Sequence, residues 1–237
     1  MPGRLLLVST PIGNLEDLSP RAARALAEAD LVACEDTRHS GRLLAHLGLK
    51  KTLVSLHEHN ERSRLPQILA ALDAGQRVAV VSDAGTPLLS DPGFPLTRAA
   101  VEAGHRVEPI PGPSAILAAL VASGLPPYPF TFGGFPPPKS GKRRSFYRRV
   151  ALLPHTLVFF ESPHRLLASL EDARAELGDR RAALGRELTK LHEEMLYGRL
   201  SELGAELAGR PSLLGEFVLV VGAPEGGDAA ERASASA

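Results

Sequence analysis

Five short runs of aliphatic and β-branched residues, at 5–9, 31–35, 52–55, 77–82 and 106–110, alternate with longer segments of helical periodicity. That alternation restricts the chain more than any other feature. Strands spaced by helices pair in parallel, because each crossover must return to the same end of the sheet, so the first half reads as an α/β domain. The segment 19–29 shows the local logic. Ser19-Pro20 supplies a helix N-cap followed by proline at the first helical position, and Ala22, Ala25, Leu26 and Ala29 then fall on one face.

The Pro111-Gly112-Pro113-Ser114 run forbids a helix until Ser114 can cap the apolar segment that follows. It divides the chain into an N-terminal domain, 1–112, and a C-terminal domain, 113–222. Strands are expected in the second at 130–133, 156–160, 182–186, 195–199 and 217–221, spaced too irregularly for βα repeats and suited to a mixed sheet. Residues 223–237, rich in Ala, Gly and Ser without periodicity, read as a mobile tail.

The 27 basic and 27 acidic residues cancel, so any nucleic-acid-binding charge has to be local. Cys34 is the single cysteine, which excludes a disulfide framework and a thiolate metal cluster within one chain and fits a cytoplasmic location. The apolar N-terminal run breaks at Pro11 and Gly13, too early for a signal peptide, and no stretch reaches the roughly 20 apolar residues of a membrane span. A soluble protein is expected.

Parallel sheets gather ligands at the loops after their strands. The loop 10–15 could be only a positive-φ turn at Gly13-Asn14 and decides nothing alone. The loop 82–93, Ser-Asp-Ala-Gly-Thr-Pro-Leu-Leu-Ser-Asp-Pro-Gly, carries far more polar and small residues than a turn needs. It suits a polar cofactor with an adenosine moiety and a charged amino-acid tail, which needs carboxylates, hydroxyls and exposed amides close by. Loop convergence nominates Pro11, Asp83, Gly85, Thr86, Leu88, Ser114, Ala115 and Glu161 as cofactor-binding residues, the last beginning the cluster Glu161-Ser162-Pro163-His164-Arg165.

Between 139 and 149 the chain places Lys139, Lys142, Arg143, Arg144, Arg148 and Arg149 around Phe146 and Tyr147 without one acid. Cations for phosphates and aromatics for unpaired bases make this an RNA-binding segment, with a solvated helix as the bland alternative. Other chemistries lack their signatures. There is no phosphate loop and no dinucleotide-binding glycine pattern, His57-Glu58-His59 lacks the helical spacing of a zinc protease, and no serine sits in a nucleophile elbow.

Taken together, the segments 9–17, 34–38 (Cys-Glu-Asp-Thr-Arg), 82–93, 111–115 and 187–193 (Glu-Leu-Thr-Lys-Leu-His-Glu) resemble one family, the ribosomal RNA small subunit methyltransferase I family of the tetrapyrrole methylase superfamily. The resemblance runs from about residue 4 to 221. It implies a two-domain tetrapyrrole methylase-like α/β fold, a class III methyltransferase with S-adenosylmethionine in the inter-domain cleft. It further implies a homodimer that 2'-O-methylates a cytidine of 16S rRNA in the decoding centre, on the RNA or the small ribosomal subunit. Relatives of the same fold act on a tetrapyrrole or a protein acceptor, and a noncatalytic RNA-binding assembly module is the alternative of another class.

Within that reading Arg38 and Arg165 join Lys139, Lys142, Arg143, Arg144 and Arg148 as RNA-binding residues. Methyl transfer to a ribose hydroxyl needs a general base, and Glu187, His192, Asp36 and Glu35 are open candidates. Lys190 could hold a phosphate or lower the hydroxyl pKa. Glu187, Lys190 and His192 are expected on the acceptor side, since 187–193 carries more ionisable groups than a connection needs.

Overall fold

The computed structural model describes residues 3–225. The chain forms two compact units, one up to Ser114 and one from Ala115 on. Residues 226–237, most of the tail expected to be mobile, lie outside the described residues.

The first unit runs β1 (Arg4–Val8), α1 (Pro20–Glu28), β2 (Leu31–Cys34), α2 (Thr37–His46), β3 (Thr52–Ser55), α3 (Glu61–Asp73), β4 (Arg77–Val81), α4 (Phe94–Glu102) and β5 (Arg106–Ile110). Its strands form one parallel sheet in the order β3-β2-β4-β1-β5. The two-residue side-chain period sorts the core into two layers. Leu6, Val8, Val32, Cys34, Ala79 and Val81 meet Ala22, Leu26 and Leu44 of α1 and α2, while Leu5, Ala33, Val78 and Val80 meet Ile68, Leu72, Leu96 and Ala100 of α3 and α4. Both faces of the sheet are covered. Ser19 caps α1 as its sequence predicts, its side chain accepting from the Ala22 amide 3.1 Å away, with Pro20 at the first turn.

The second unit runs α5 (Ala115–Ala122), β6 (Phe130–Phe132), α6 (Ser140–Val150), β7 (Thr156–Glu161), α7 (Leu166–Leu177), β8 (Arg181–Arg186), β9 (Glu194–Arg199), α8 (Leu200–Ala208) and β10 (Phe217–Val221). Its sheet, in the order β6-β7-β10-β8-β9, is mixed: β6 and β7 are parallel and the other pairs antiparallel. Tyr147, Leu166, Leu170, Leu203 and Leu207 pack one face of this sheet through Leu157, Phe159, Leu184, Phe217 and Leu219.

Four strands end one residue before the sequence suggests, leaving Ser9, Glu35, Ser82 and Gly133 in the loops. Ser82 leaves because its hydroxyl turns back to the carbonyls of Ala84 and Gly85, at 3.2 and 3.3 Å, starting the turn at once. Glu161 moves the other way. Its backbone pairs with Phe217 as the last residue of β7, so it belongs to the sheet rather than to the loop after it. No helix among the described residues is long and apolar enough to cross a membrane.

Candidate functional site

Strand order decides which loops of the first unit meet. At the carboxyl ends, β4 lies between β2 and β1, and β5 flanks β1, so the connections 9–15, 34–38, 82–93 and 111–114 share one edge. The chain leaves β2 towards β3 and leaves β4 towards β5, in opposite directions, which is where doubly wound sheets open a crevice.

Three of these loops are tied together. Thr10 and Gly85 form an isolated two-bond bridge, with N–H···O distances of 2.9 and 3.0 Å in the two directions. The Thr10 hydroxyl donates to the Ser82 carbonyl at 3.2 Å, and the Thr86 hydroxyl donates to the Pro113 carbonyl at 3.3 Å. Gly85 needs its lack of a side chain twice over. Its φ is +81°, and a Cβ there would come within 3.2 Å of Ile12. The structure therefore brings Pro11, Asp83, Gly85, Thr86 and Leu88 to one edge, with Ser114 following the Pro113 that Thr86 holds. Leu88 and Ser90 adopt left-handed φ values of 74° and 69°, a strained backbone held inside a tied loop.

Acids crowd the crevice between β2 and β4. Asp83 accepts from the Asp36 amide at 3.2 Å. Burial, then the charges of Asp83 and Glu58, raises Glu35, and burial with the charge of Glu35 raises Asp91 to about 6. Asp36 is held at about 2 by the Arg38 side chain, which grips it through Nε at 3.2 Å and a terminal nitrogen at 3.0 Å. Arg38, proposed from its sequence for phosphate contact, is thus committed to a neighbouring carboxylate while remaining exposed. Sequence reasoning passed over Asp91. The only signal was its place nine residues after Ser82 in the same polar loop.

In the second unit Glu161 faces inward. Only 2% of it is exposed, and Oε1 accepts from the Tyr147 hydroxyl at 3.1 Å and from the Ser169 hydroxyl. Glu161, expected at the cofactor, is placed at the end of β7 with its carboxylate in the core, where burial pushes its pKa up. Arg165 lies nearby, half-buried at the start of α7, with its Nε enclosed.

The basic segment forms α6 with its N-cap, and three of its six cations, unpaired along the sequence, are paired in space. Arg143, 3% exposed, bonds Asp172 through Nε at 2.8 Å and a terminal nitrogen at 2.6 Å. Arg144 and Arg148 both bond Glu176, at 2.7 and 2.9 Å. Asp172 and Glu176 are one turn apart on α7, a spacing visible in sequence that pairs with the turn-spaced arginines. Arg143, expected to meet phosphate, is buried against Asp172, and Tyr147 beside it is fully buried.

The segment 187–193 is a taut connection between β8 and β9. Glu187 and Thr189 take left-handed φ values of 49° and 65°. Glu187 Oε1 accepts from the Glu216 amide at 2.9 Å and from Lys190 Nζ at 2.8 Å, and Lys190 also bonds Glu216 at 3.0 Å. The Lys190 bond holds the Glu187 carboxyl below its ordinary range. Gly215, at φ +104°, makes room, since a Cβ there would lie 2.6 Å from Glu187. His192 stands apart, exposed. Among the described residues no cluster of His, Cys, Asp and Glu is arranged to hold a metal.

A family profile described as tetrapyrrole (corrin/porphyrin) methylases matches residues 4–204. A protein of Mesorhizobium japonicum called ribosomal RNA small subunit methyltransferase I is 52% identical over 222 residues, 93% of this chain and 76% of that protein. A protein of the same name from Pseudomonas aeruginosa is 51% identical over 94% of this chain and 81% of its own length. Among solved structures, uroporphyrin-III-C-methyltransferase from Thermus thermophilus is 26% identical with a TM-score of 0.63, covering 93% of this chain and 94% of that one. The methyltransferase CobJ shares the fold with a TM-score of 0.70 at 24% identity, over 93% and 94% of the two chains.

Proposed function

Because the chain belongs to the tetrapyrrole methylase family and, within it, to the ribosomal RNA small subunit methyltransferase I family, we propose that it carries methyl from S-adenosylmethionine to the 2'-oxygen of a cytidine in 16S rRNA. The observation that carries this reading is the tied edge of the first sheet. The Thr10–Gly85 bridge brings a carboxylate at Asp83, a hydroxyl at Thr86 and a side-chain-free Gly85 into one place. That donor set fits a nucleoside with a charged tail, because glycine admits close approach and the polar groups fix orientation. A Thermus thermophilus uroporphyrin-III C-methyltransferase of the same fold, at TM-score 0.64, was solved with S-adenyl homocysteine.

Pro11, Asp83, Gly85, Thr86, Leu88, Ser114 and Ala115 would hold S-adenosylmethionine, which when bound supplies an electrophilic methyl on sulfonium sulfur. The protein's own part is to hold the ribose hydroxyl in line and to accept its proton as the new C–O bond forms. Glu187, kept anionic by Lys190, is a weak base and serves to position that lysine. Lys190 presents charge to the acceptor, and the exposed His192 is the base this segment offers. The bound RNA, a homodimeric assembly and a cytoplasmic location complete the reading.

Mass mapping tests it. Small-subunit RNA, free and assembled, is incubated with the protein and S-adenosylmethionine and digested to nucleosides. The expected product is one 2'-O-methylcytidine per RNA. A methyl on a base, or none on RNA, overturns the reading.

A further inference from the structure

Helix α6 has three faces, and the structure gives two of them to other work. Arg143 and Tyr147, four residues apart, point inward. Arg144 and Arg148, also four apart, lie on one flank and share Glu176. The opposite flank carries Lys142, Phe146 and Arg149, spaced four and three residues apart, so that they fall within about 60° on a helix turning 100° per residue, and Lys139 precedes them at the N-cap in extended backbone.

All three cations of this stripe are exposed, and among the described residues no ion pair engages them. Phe146 is half-buried against Phe159, with ring centroids 5.7 Å apart, and so is fixed in place. The Arg149 guanidinium rests 5.8 Å above the Phe146 ring. A guanidinium attracted to the face of an aromatic ring through its charge keeps N–H donors available for a phosphate. From Lys142 to Arg149 the 1.5 Å rise gives a reach of about 10 Å.

We propose that the stripe Lys139-Lys142-Phe146-Arg149 is the face of α6 that grips RNA phosphates, and that the arginines on its other two faces brace the helix instead. The proposal rests on the rRNA reading above and sharpens it. Neutralised arginines release few counterions on contact with RNA, whereas free cations release one each. The inner and flanking pairs give α6 a fixed rotation, which keeps the stripe turned outward.

The test compares salt dependence of binding to a fragment of small-subunit rRNA and to an unrelated single-stranded oligonucleotide. The triple variant K139Q/K142Q/R149Q should flatten the slope of log affinity against log salt by about two units on both, at about 0.7 per lost contact. The variant R144Q/E176Q, which removes one clamp arginine together with the counter-charge and leaves the net charge unchanged, should leave the slope within about half a unit. Thermal melts confirm that each folds. Normal wild-type binding with the stripe variant unchanged, or with the two variants flattened equally, overturns the stripe alone. Wild-type protein with no salt-dependent RNA binding removes the stripe and the rRNA reading together.

Discussion

Arg143 and Asp172 form a buried ion pair that locks α6 to α7, with Asp172 also accepting from Ser140 at 3.0 Å and Arg143 reaching the Pro138 carbonyl at 3.0 Å. Removing one partner strands a charge in the core. Asp172→Ala should therefore lower stability by about 3–5 kcal/mol, while Arg143→Met with Asp172→Leu should cost much less. Urea unfolding distinguishes them, and equal losses would show that the pair stabilises through packing alone.

Asp83→Ala should weaken S-adenosylmethionine binding by roughly 10- to 100-fold, the loss expected for a charge-assisted hydrogen bond, with the fold kept. Asp83→Asn can still accept from the Asp36 amide and should retain more of the loop structure. Calorimetry reads both. Unchanged affinity in the alanine variant would take this loop out of the binding site.

Asp91 gives stability a pH slope. Its folded pKa of about 6 lies above the ordinary 3.8, so the folded state holds a proton that the unfolded state has released between about pH 4 and 6. Stability then falls as pH rises through that window, and the full penalty stands at neutrality. Asp91→Asn should raise the melting temperature at pH 7 and lose its advantage below about pH 4. A variant that tracks wild type at every pH would contradict the crowding.

Gly215→Ala should act through Glu187. The new methyl forces that carboxylate from Lys190 and adds strain at φ +104°, a cost of about 1–3 kcal/mol. Glu187→Ala removes the obstacle, so the double variant should be less destabilised than the sum of the singles. If segment 187–193 serves chemistry, Lys190→Ala lowers the methylation rate at saturating RNA and cofactor with binding unchanged. Loss of affinity alone would make Lys190 a binding residue.

Much of this was legible along the chain, and what was not shares one cause. The α1 cap is a contact three residues long, so Ser19-Pro20 announced it. The polar excess at 82–93 pointed to a special loop, yet its partner Thr10 lies over seventy residues away and no local pattern names it. The cations of 139–149 were counted correctly, but the partners of three of them, Asp172 and Glu176, come from the following helix. The place of Glu161 in the fold was hidden for a similar reason. A strand that runs one residue further turns a loop acid into a core acid, and only the pairing with Phe217 reveals it.

The tie between residues 9–10, 82–86 and 112–113 also sets when this edge comes into being. Its pieces come from three distant stretches of chain, and Gly85 reaches Thr10 because β4 lies beside β1. During synthesis, then, nothing before the emergence of Pro113 can form it, however complete the earlier helices are. The edge works as a seal on finished folding: a nascent or partly opened chain lacks the tied surface, and ligand uptake there would report that the first sheet has closed.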